Sequence, residues 1–192
     1  GNVLIPLEEA ALDEIMESLR LAEVQSVAVG LLHSYIDDRH ERRVAEILSK
    51  ELPQISITLS SEVSPEIREF DRWSTASANA YVQPLMSSYL GRLNEKLGTM
   101  GFDCPLSMMT SGGGIAAIEI ARKFPIRLVE SGPAGGAILA ARIAVECGLD
   151  EVFSFDMGGT PANICLIDGG EHHPSQTFET ARQYRVMHDP RL

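Results

Sequence analysis

The chain has 192 residues, 44% of them hydrophobic and 22% charged, and 16 Lys plus Arg against 27 Asp plus Glu give it a formal net charge of −11. That length suits one domain or two small ones, able to bury roughly 70% of the unfolded surface. The composition excludes a disordered, collagen-like or low-complexity chain. The acidic balance argues against nucleic acid and against a polybasic membrane anchor as partners.

No segment reads as membrane-spanning, since the longest weakly polar run, residues 131–145, contains Arg142 and is too short. The first residues, Gly1-Asn2-Val3-Leu4-Ile5-Pro6, lack the charged and apolar regions of a signal peptide. Both termini read as cuts in a longer polypeptide. Cys104, Cys147 and Cys165 form no CxxC pair, so neither a zinc site nor a disulfide framework is expected. Buried free thiols in a reducing cytoplasm are the reading that fits.

Leu12, Ile15, Met16 and Leu19 follow the spacing of one helix face, with Pro6 placed where a first-turn proline is tolerated. Residues 24–35, with the run Val27-Ala28-Val29-Gly30-Leu31-Leu32, read as a buried strand of a parallel sheet. Asp38 and Glu41 have the form of a capping box opening a helix through Val44, Ile47, Leu48 and Leu52, which Pro53 ends. Residues 55–59 alternate as a strand, and Ser64-Pro65-Glu66 has the form of a helix start. The strongest helix signal is the stripe Val82, Leu85, Met86, Tyr89, Leu90, Leu93 and Leu97, kinked or begun at Pro84 and capped by Gly98 or Gly101.

After Pro105 the texture becomes glycine-rich. A strand at 106–110 runs into Ser111-Gly112-Gly113-Gly114, followed by a helix with Ala117, Ile118, Ala121 and Phe124 on one face. The turn Glu130-Ser131-Gly132-Pro133-Ala134-Gly135-Gly136 leads into a small-residue helix, and Val152-Phe153-Ser154-Phe155 is a strand delivering Asp156-Met157-Gly158-Gly159-Thr160 before a return strand at 164–167. This alternation indicates an α/β fold with a mixed or mostly parallel sheet flanked by helices.

Glycine lets several backbone N–H groups approach one anion, and a helix N-terminus adds partial positive charge. Each turn alone reads as a tight turn; three within about fifty residues read as a phosphate site. None has the GxGxxG or GK[ST] pattern. Asp156 is a candidate Mg²⁺ ligand, Thr160 a phosphate donor and Glu130 a polarising group for water, beside a capping role. His172-His173 reads as polar loop, because adjacent strand residues face opposite ways. His33 ends a strand where α/β sheets place ligands. Arg68-Glu69-Phe70-Asp71-Arg72 reads as a salt-bridged turn or an interface.

Phe155-Asp156-Met157-Gly158-Gly159-Thr160 resembles the second phosphate motif of the actin, sugar-kinase and heat-shock-chaperone ATPase superfamily. Glu130 to Gly136, with Leu32-His33-Ser34-Tyr35, Leu59-Ser60-Ser61-Glu62-Val63, Asn79-Ala80-Tyr81-Val82 and Thr110-Ser111-Gly112-Gly113-Gly114, narrows the resemblance. It points to the hydantoinase A, 5-oxoprolinase and acetone carboxylase β-subunit branch, across nearly the whole chain. The resemblance implies a partial ribonuclease H-like fold, with residues 1–72 ending an N-terminal lobe and 73–192 starting the catalytic lobe. It implies ATP and Mg²⁺ as cofactors, a small cyclic amide as substrate, and the remaining lobes or a B-type subunit as partners. The implied catalytic residues are Glu130 and Asp156, with Asp156 as metal ligand. Gly112, Gly113, Gly114, Ser131, Gly132, Gly158, Gly159 and Thr160 are the implied phosphate-binding residues.

Two positions depart from the family pattern. Pro161 lacks an N–H, and Asn163 cannot act as an acid or a charged ligand. The family's first phosphate hairpin is absent. The chain by itself is therefore expected to be inactive and to self-associate through apolar surface. A ketone carboxylase and a non-catalytic interaction module are the alternatives.

Overall fold

Two four-residue strands organise the first half of the chain. β1 (Ser26–Val29) and β2 (Ser56–Leu59) pair in parallel, in register from Ser26↔Ser56 to Val29↔Leu59. A parallel pair needs a crossover, supplied by α2 (Arg39–Glu51). Alternation then sorts the two faces. Val27, Val29, Ile57 and Leu59 join Leu12 and Met16 of α1 (Ala11–Leu21) and Val44, Leu48 and Leu52 in one apolar core. On the other face Thr58 meets the long helix α4 (Glu69–Thr99), which follows the single turn α3 (Ser60–Val63).

The computed structural model describes residue 3 and residues 5–158, 162–172, 177–181 and 184–187, with side chains as far as Glu171. These residues form two compact units. The first draws on residues 1–102, Arg122–Ile126 and Thr177–Met187, and the second on Asp103–Ala121 and Arg127–Gln176.

Several local expectations for the first unit are corrected. α1 begins at Ala11, so Pro6 lies upstream of its first turn. β1 stops at Val29 because the N–H groups of Leu31 and His33 donate to the carboxylates of Glu41 and Glu69, at 2.9 and 3.3 Å, leaving the strand ladder. The capping box does not form. Asp38 caps α2 by position only and pairs with Arg42 at 2.6 Å, while Glu41 turns into the interior. Ser64-Pro65-Glu66 starts no helix; α4 begins at Glu69, after Arg68 takes φ +87°.

Pro84 sits well inside α4, which runs for 31 residues. Proline there removes the bond to the carbonyl four residues back. The helix closes with Gly101 at φ +86° and the Phe102 N–H on the Leu97 carbonyl at 3.1 Å, a left-handed cap. Its apolar stripe is only partly buried: Leu90 is fully buried and Val82, Met86, Leu93 and Leu97 are half-buried, but Leu85 and Tyr89 are exposed, and the inner positions of the first half are Arg72, Thr75, Asn79 and Gln83 with Ala76 and Ala80.

Gly30 follows β1 on the α4 side. A methyl group there would sit 2.6 Å from Nε1 of Trp73 and closer still to Cδ1. Gly30→Ala is therefore expected to cost about 1–2 kcal/mol, the lower part of the overpacking range, because the partly exposed indole can swing outward. Trp73 is the chain's single tryptophan, so its emission should shift to longer wavelength. A variant with unchanged emission and denaturation midpoint would contradict that contact.

The second unit begins with an antiparallel hairpin, β3 (Ser107–Met109) and β4 (Ile115–Ala117); α5 (Ile118–Lys123) and the 3-10 turn Pro125–Leu128 follow in the chain, with Arg122–Ile126 belonging to the first unit. The expected helix after the first glycine turn is thus preceded by a strand. α6 (Ser131–Cys147) ends at Gly148, φ +67°. β5 (Glu151–Met157), β6 (Ala162–Asp168) and β7 (Glu171–His172) form an antiparallel sheet. The antiparallel pair β8 (Thr177–Ala181) and β9 (Tyr184–Met187) belongs to the first unit.

Parallel and antiparallel pairings thus both occur, in four small sheets among the described residues, and the chain is α/β. No described helix is long and apolar enough to cross a membrane. Cys104 and Cys147 are exposed and Cys165 is half-buried, so the thiols are free but not the buried ones expected. His172 lies in β7, and His173 falls outside the described residues.

Candidate functional site

Within the second unit β3 and β5 both lie along α6. The helix is 17 residues long, on the order of 25 Å, and β5 has 7 residues, on the order of 23 Å. Residues 148–150 reverse the chain between them. Gly170, at the base of the hairpin, is packed on Val145 near the C-terminus of α6. β5 therefore runs back along the helix and delivers Asp156 and Gly158 to the end that holds Glu130, Ser131 and Gly132. Met109, at the end of β3, lies against Gly135 in the second turn of α6, its Sδ 2.7 Å from where a Cβ would stand. That contact brings the 111–114 turn to the same end.

Each candidate has a distinct local setting. Glu130 takes the left-handed conformation at φ +64°, uncommon for a side chain of its size, and makes no capping bond. The first intrahelical bond runs from the Ala134 N–H to the Glu130 carbonyl, at 3.4 Å. The N–H groups of Ser131 and Gly132 accordingly have no acceptor within the helix, and Pro133 has none to offer. Ser131 is the first helical residue, and the capping position expected for it is taken by Glu130.

Gly112, Gly113 and Gly114 close the β3–β4 hairpin. The Gly113 N–H donates to the Thr110 carbonyl at 3.0 Å, with Gly113 at φ +84°. Ser111 anchors the turn, its N–H and hydroxyl both donating to the Arg127 carbonyl, at 2.7 and 3.0 Å. Asp156 is half-buried and stands directly across the hairpin from Asn163. Gly159, Thr160 and Pro161 lie outside the described residues. Among the described residues no three His, Cys, Asp or Glu converge as a metal site.

The first unit holds a buried polar network that sequence reading did not find. It sits at the carboxyl ends of β1 and β2, where α/β sheets place function. Glu41, fully buried, accepts four hydrogen bonds: from Leu31 N–H at 2.9 Å, Ser60 hydroxyl at 2.6 Å, and Ser61 N–H and hydroxyl at 2.9 and 2.7 Å. Burial pushes its carboxyl up, and the four donors more than offset this, holding it below the usual carboxylate range.

Arg72 is equally buried. It donates to the Ser60 hydroxyl and to the carbonyls of Glu66 and Leu31, at 3.1, 2.9 and 2.9 Å, and lies over the Tyr35 ring. His33 is exposed at φ +58°, its N–H on Glu69. A shallow pocket nearby, about 200 Å³ and lined by Ala28, Gly30, Trp73, Ala76 and Ser77, is smaller than the ~300 Å³ of ordinary ligand sites. The signal for the network was the polar series Arg72, Thr75, Asn79 and Gln83 at helical spacing.

The family model described as Hydantoinase/oxoprolinase matches residues 72–189, and the one for the Hydantoinase/oxoprolinase N-terminal region matches residues 1–52. The chain belongs to the hydantoinase/oxoprolinase family. Caprolactamase subunit alpha of Pseudomonas jessenii is 33% identical over 186 residues, covering 97% of this chain and 27% of that protein. The crystal structure of the ATP-dependent caprolactamase from Pseudomonas jessenii matches with a TM-score of 0.83 at 31% identity, over 97% of this chain and 27% of the other. A nucleotide-free structure of acetone carboxylase matches with a TM-score of 0.80 at 25% identity, over 96% and 26%. The chain thus spans about a quarter of the length of the relatives it matches.

Proposed function

We propose that this chain supplies part of the phosphate-handling end of an ATP-dependent cyclic amidase. The observation that carries the reading is the contact of Met109 with Gly135 near the N-terminus of α6, with β5 returning along the same helix, which favours a meeting of the glycine turns at that end, in a family that includes an ATP-dependent caprolactamase. The donor set fits a polyphosphate. The Ser131 and Gly132 N–H groups lie at the positive end of a helix and have no acceptor in it. Asp156, entering from the strand, fits Mg²⁺, an ion usually held by one or two carboxylates together with phosphate oxygens and water. ATP, when bound, supplies a phosphoryl group that makes a ring amide oxygen a leaving group.

On this reading Ser131 and Gly132 orient phosphate oxygens and Asp156 holds the metal. Glu130, its carboxylate not used for capping, takes or orients a proton of water. Gly112, Gly114, Gly158, Gly159 and Thr160 complete the phosphate wall. Asn163 stands across from Asp156 without a second negative charge, so one carboxylate serves the metal at this position. The family segments at 1–52 and 72–189 favour a lobe boundary near residue 72. The relative named as a subunit favours further lobes or subunits as partners.

The substrate of this reading is a lactam or similar cyclic amide. A ketone carboxylase is the second reading, because the acetone carboxylase structure matches almost as well as the caprolactamase one.

Millimolar ATP with Mg²⁺ is expected to raise the melting temperature by a few degrees, since a ligand that binds only the folded state stabilises it by mass action. Asp156→Asn should remove the Mg²⁺-dependent part of that rise. Absence of any rise would overturn nucleotide binding by this chain.

A further inference from the structure

We propose that the outward face of the β5–β6 hairpin is a self-association surface, covered in solution by the same face of a second copy of this chain. Alternation along the two strands divides the hairpin. Val152, Ser154 and Asp156 are half-buried, whereas Phe153, Phe155, Met157, Ile164 and Leu166 are 50–72% exposed. Cross-strand register gathers the exposed side chains into one patch, with Phe153 opposite Leu166, Phe155 opposite Ile164 and Met157 opposite Ala162. Scattered exposed apolar residues are ordinary, but an unbroken block on one sheet face is not.

Area favours a second copy as the occupant. Five side chains of this size at that exposure present roughly 500 Å² of apolar surface, comparable to the largest patch of a typical monomer. Two such faces in contact remove roughly 1,000 Å², about the lower bound for a specific interface.

The charges fix the orientation. Glu151 and Asp168 are paired at the base of the patch, and the opposite end carries Met157 and Ala162. A two-fold axis through the centre sets the acidic end of each copy against the apolar end of the other and keeps the four carboxylates apart. Two sheets packed face to face in this way hold their strands within ~30° of each other. Because the whole chain carries a net charge of −11, association works against repulsion and should strengthen as salt screens it.

The test is sedimentation velocity or light scattering of the full chain over a range of concentrations and salt. A dimer is expected, with its fraction rising in salt. Phe155→Glu/Ile164→Glu should give a monomer. Phe155→Ser/Ile164→Thr, which keeps the strand more comfortably, should weaken the dimer at least tenfold with an unchanged far-UV spectrum. A concentration-independent monomer would overturn the proposal and leave the face to another polypeptide. A dimer that survives both substitutions, or that dissolves in salt, would overturn it in favour of a different surface.

Discussion

Glu41→Ala is expected to destabilise the chain by about 3–5 kcal/mol, the range for breaking a buried charge arrangement from one side. The loss is not that of four hydrogen bonds alone. Removing the carboxylate leaves the Ser60 and Ser61 hydroxyls and the Ser61 and Leu31 N–H groups facing a cavity, and it loosens Ser60, which Arg72 also bonds, although Arg72 keeps Glu69 as its ion-pair partner. Glu41→Gln keeps the volume and an acceptor, so it should cost about half as much.

The acid limb of stability follows from the same group. The folded carboxyl sits below its ordinary value of about 4.3, so the ionised form favours folding. That stabilisation is fully present above the unfolded value and is lost as pH falls through the lower folded one. Glu9 and Asp37, held low mainly by hydrogen bonds from Arg43 and Arg39, act in the same direction, so wild type alone cannot isolate Glu41. The stability gap between wild type and Glu41→Gln can. It should narrow as pH drops below about 4.3, measured by urea denaturation. A gap that is constant from neutral pH to pH 3 would refute the assignment.

Arg72→Met is expected to cost about 3–5 kcal/mol as well, for a complementary reason. Methionine fills most of the volume, but the Leu31 and Glu66 carbonyls and the Ser60 hydroxyl lose their donor and Glu69 loses its ion-pair partner. Arg72→Lys retains charge but not the fork that reaches Ser60, Glu66 and Leu31 together, so it should recover less than half of the loss. The double variant Glu41→Gln/Arg72→Met should be milder than the sum of its parts by about 1 kcal/mol, because the two residues share Ser60 and Leu31 as partners. Strict additivity would show that the two residues act independently.

Much of the first unit was legible because its apolar periodicities and its buried positions coincide. Leu12 and Met16, Val44 and Leu48, and the alternation at 56–59 fall on the core as read. α4 broke the rule on which that reading rests. Its stripe from Val82 to Leu97 marks the helix but only part of its buried side, and its early inner face sets Arg72, Thr75, Asn79 and Gln83 beside Ala76 and Ala80, since a hydrogen-bonded polar group can be buried as readily as an apolar one. Residues matching Asp-x-x-Glu gave a capping box on paper. In the fold, tertiary donors at Leu31, Ser60 and Ser61 outcompete the local backbone for Glu41.

In the second unit β3, the 111–114 turn, the small-residue helix, β5 and β6 stand where expected. β4 and β7 do not: Ile115-Ala116-Ala117 is too short and too helix-like to show a strand period before it pairs with 107–109, and His172 reads as polar loop. Spacing along the chain could identify three phosphate-like turns but not how β3 and β5 lie along α6, which depends on the contacts at Gly135 and Gly170.

Asn79 shows how unevenly this fold spreads its demands on sequence. Its amide donates to the Thr58 hydroxyl and the Lys123 carbonyl, and its carbonyl oxygen accepts from the Ile126 N–H, at 3.0, 3.1 and 3.2 Å. Two of the three partners are main-chain atoms, so this network asks of Lys123 and Ile126 only a backbone path and an N–H, while packing constrains the buried Phe124, Pro125 and Ile126 side chains and the hydrogen bonds themselves constrain positions 58 and 79. Arg72 imposes the same asymmetry on Leu31 and Glu66, which it holds by their carbonyls. A few anchors thus carry the sequence constraint for long stretches of loop, leaving the faces of those loops free to diversify toward different partners.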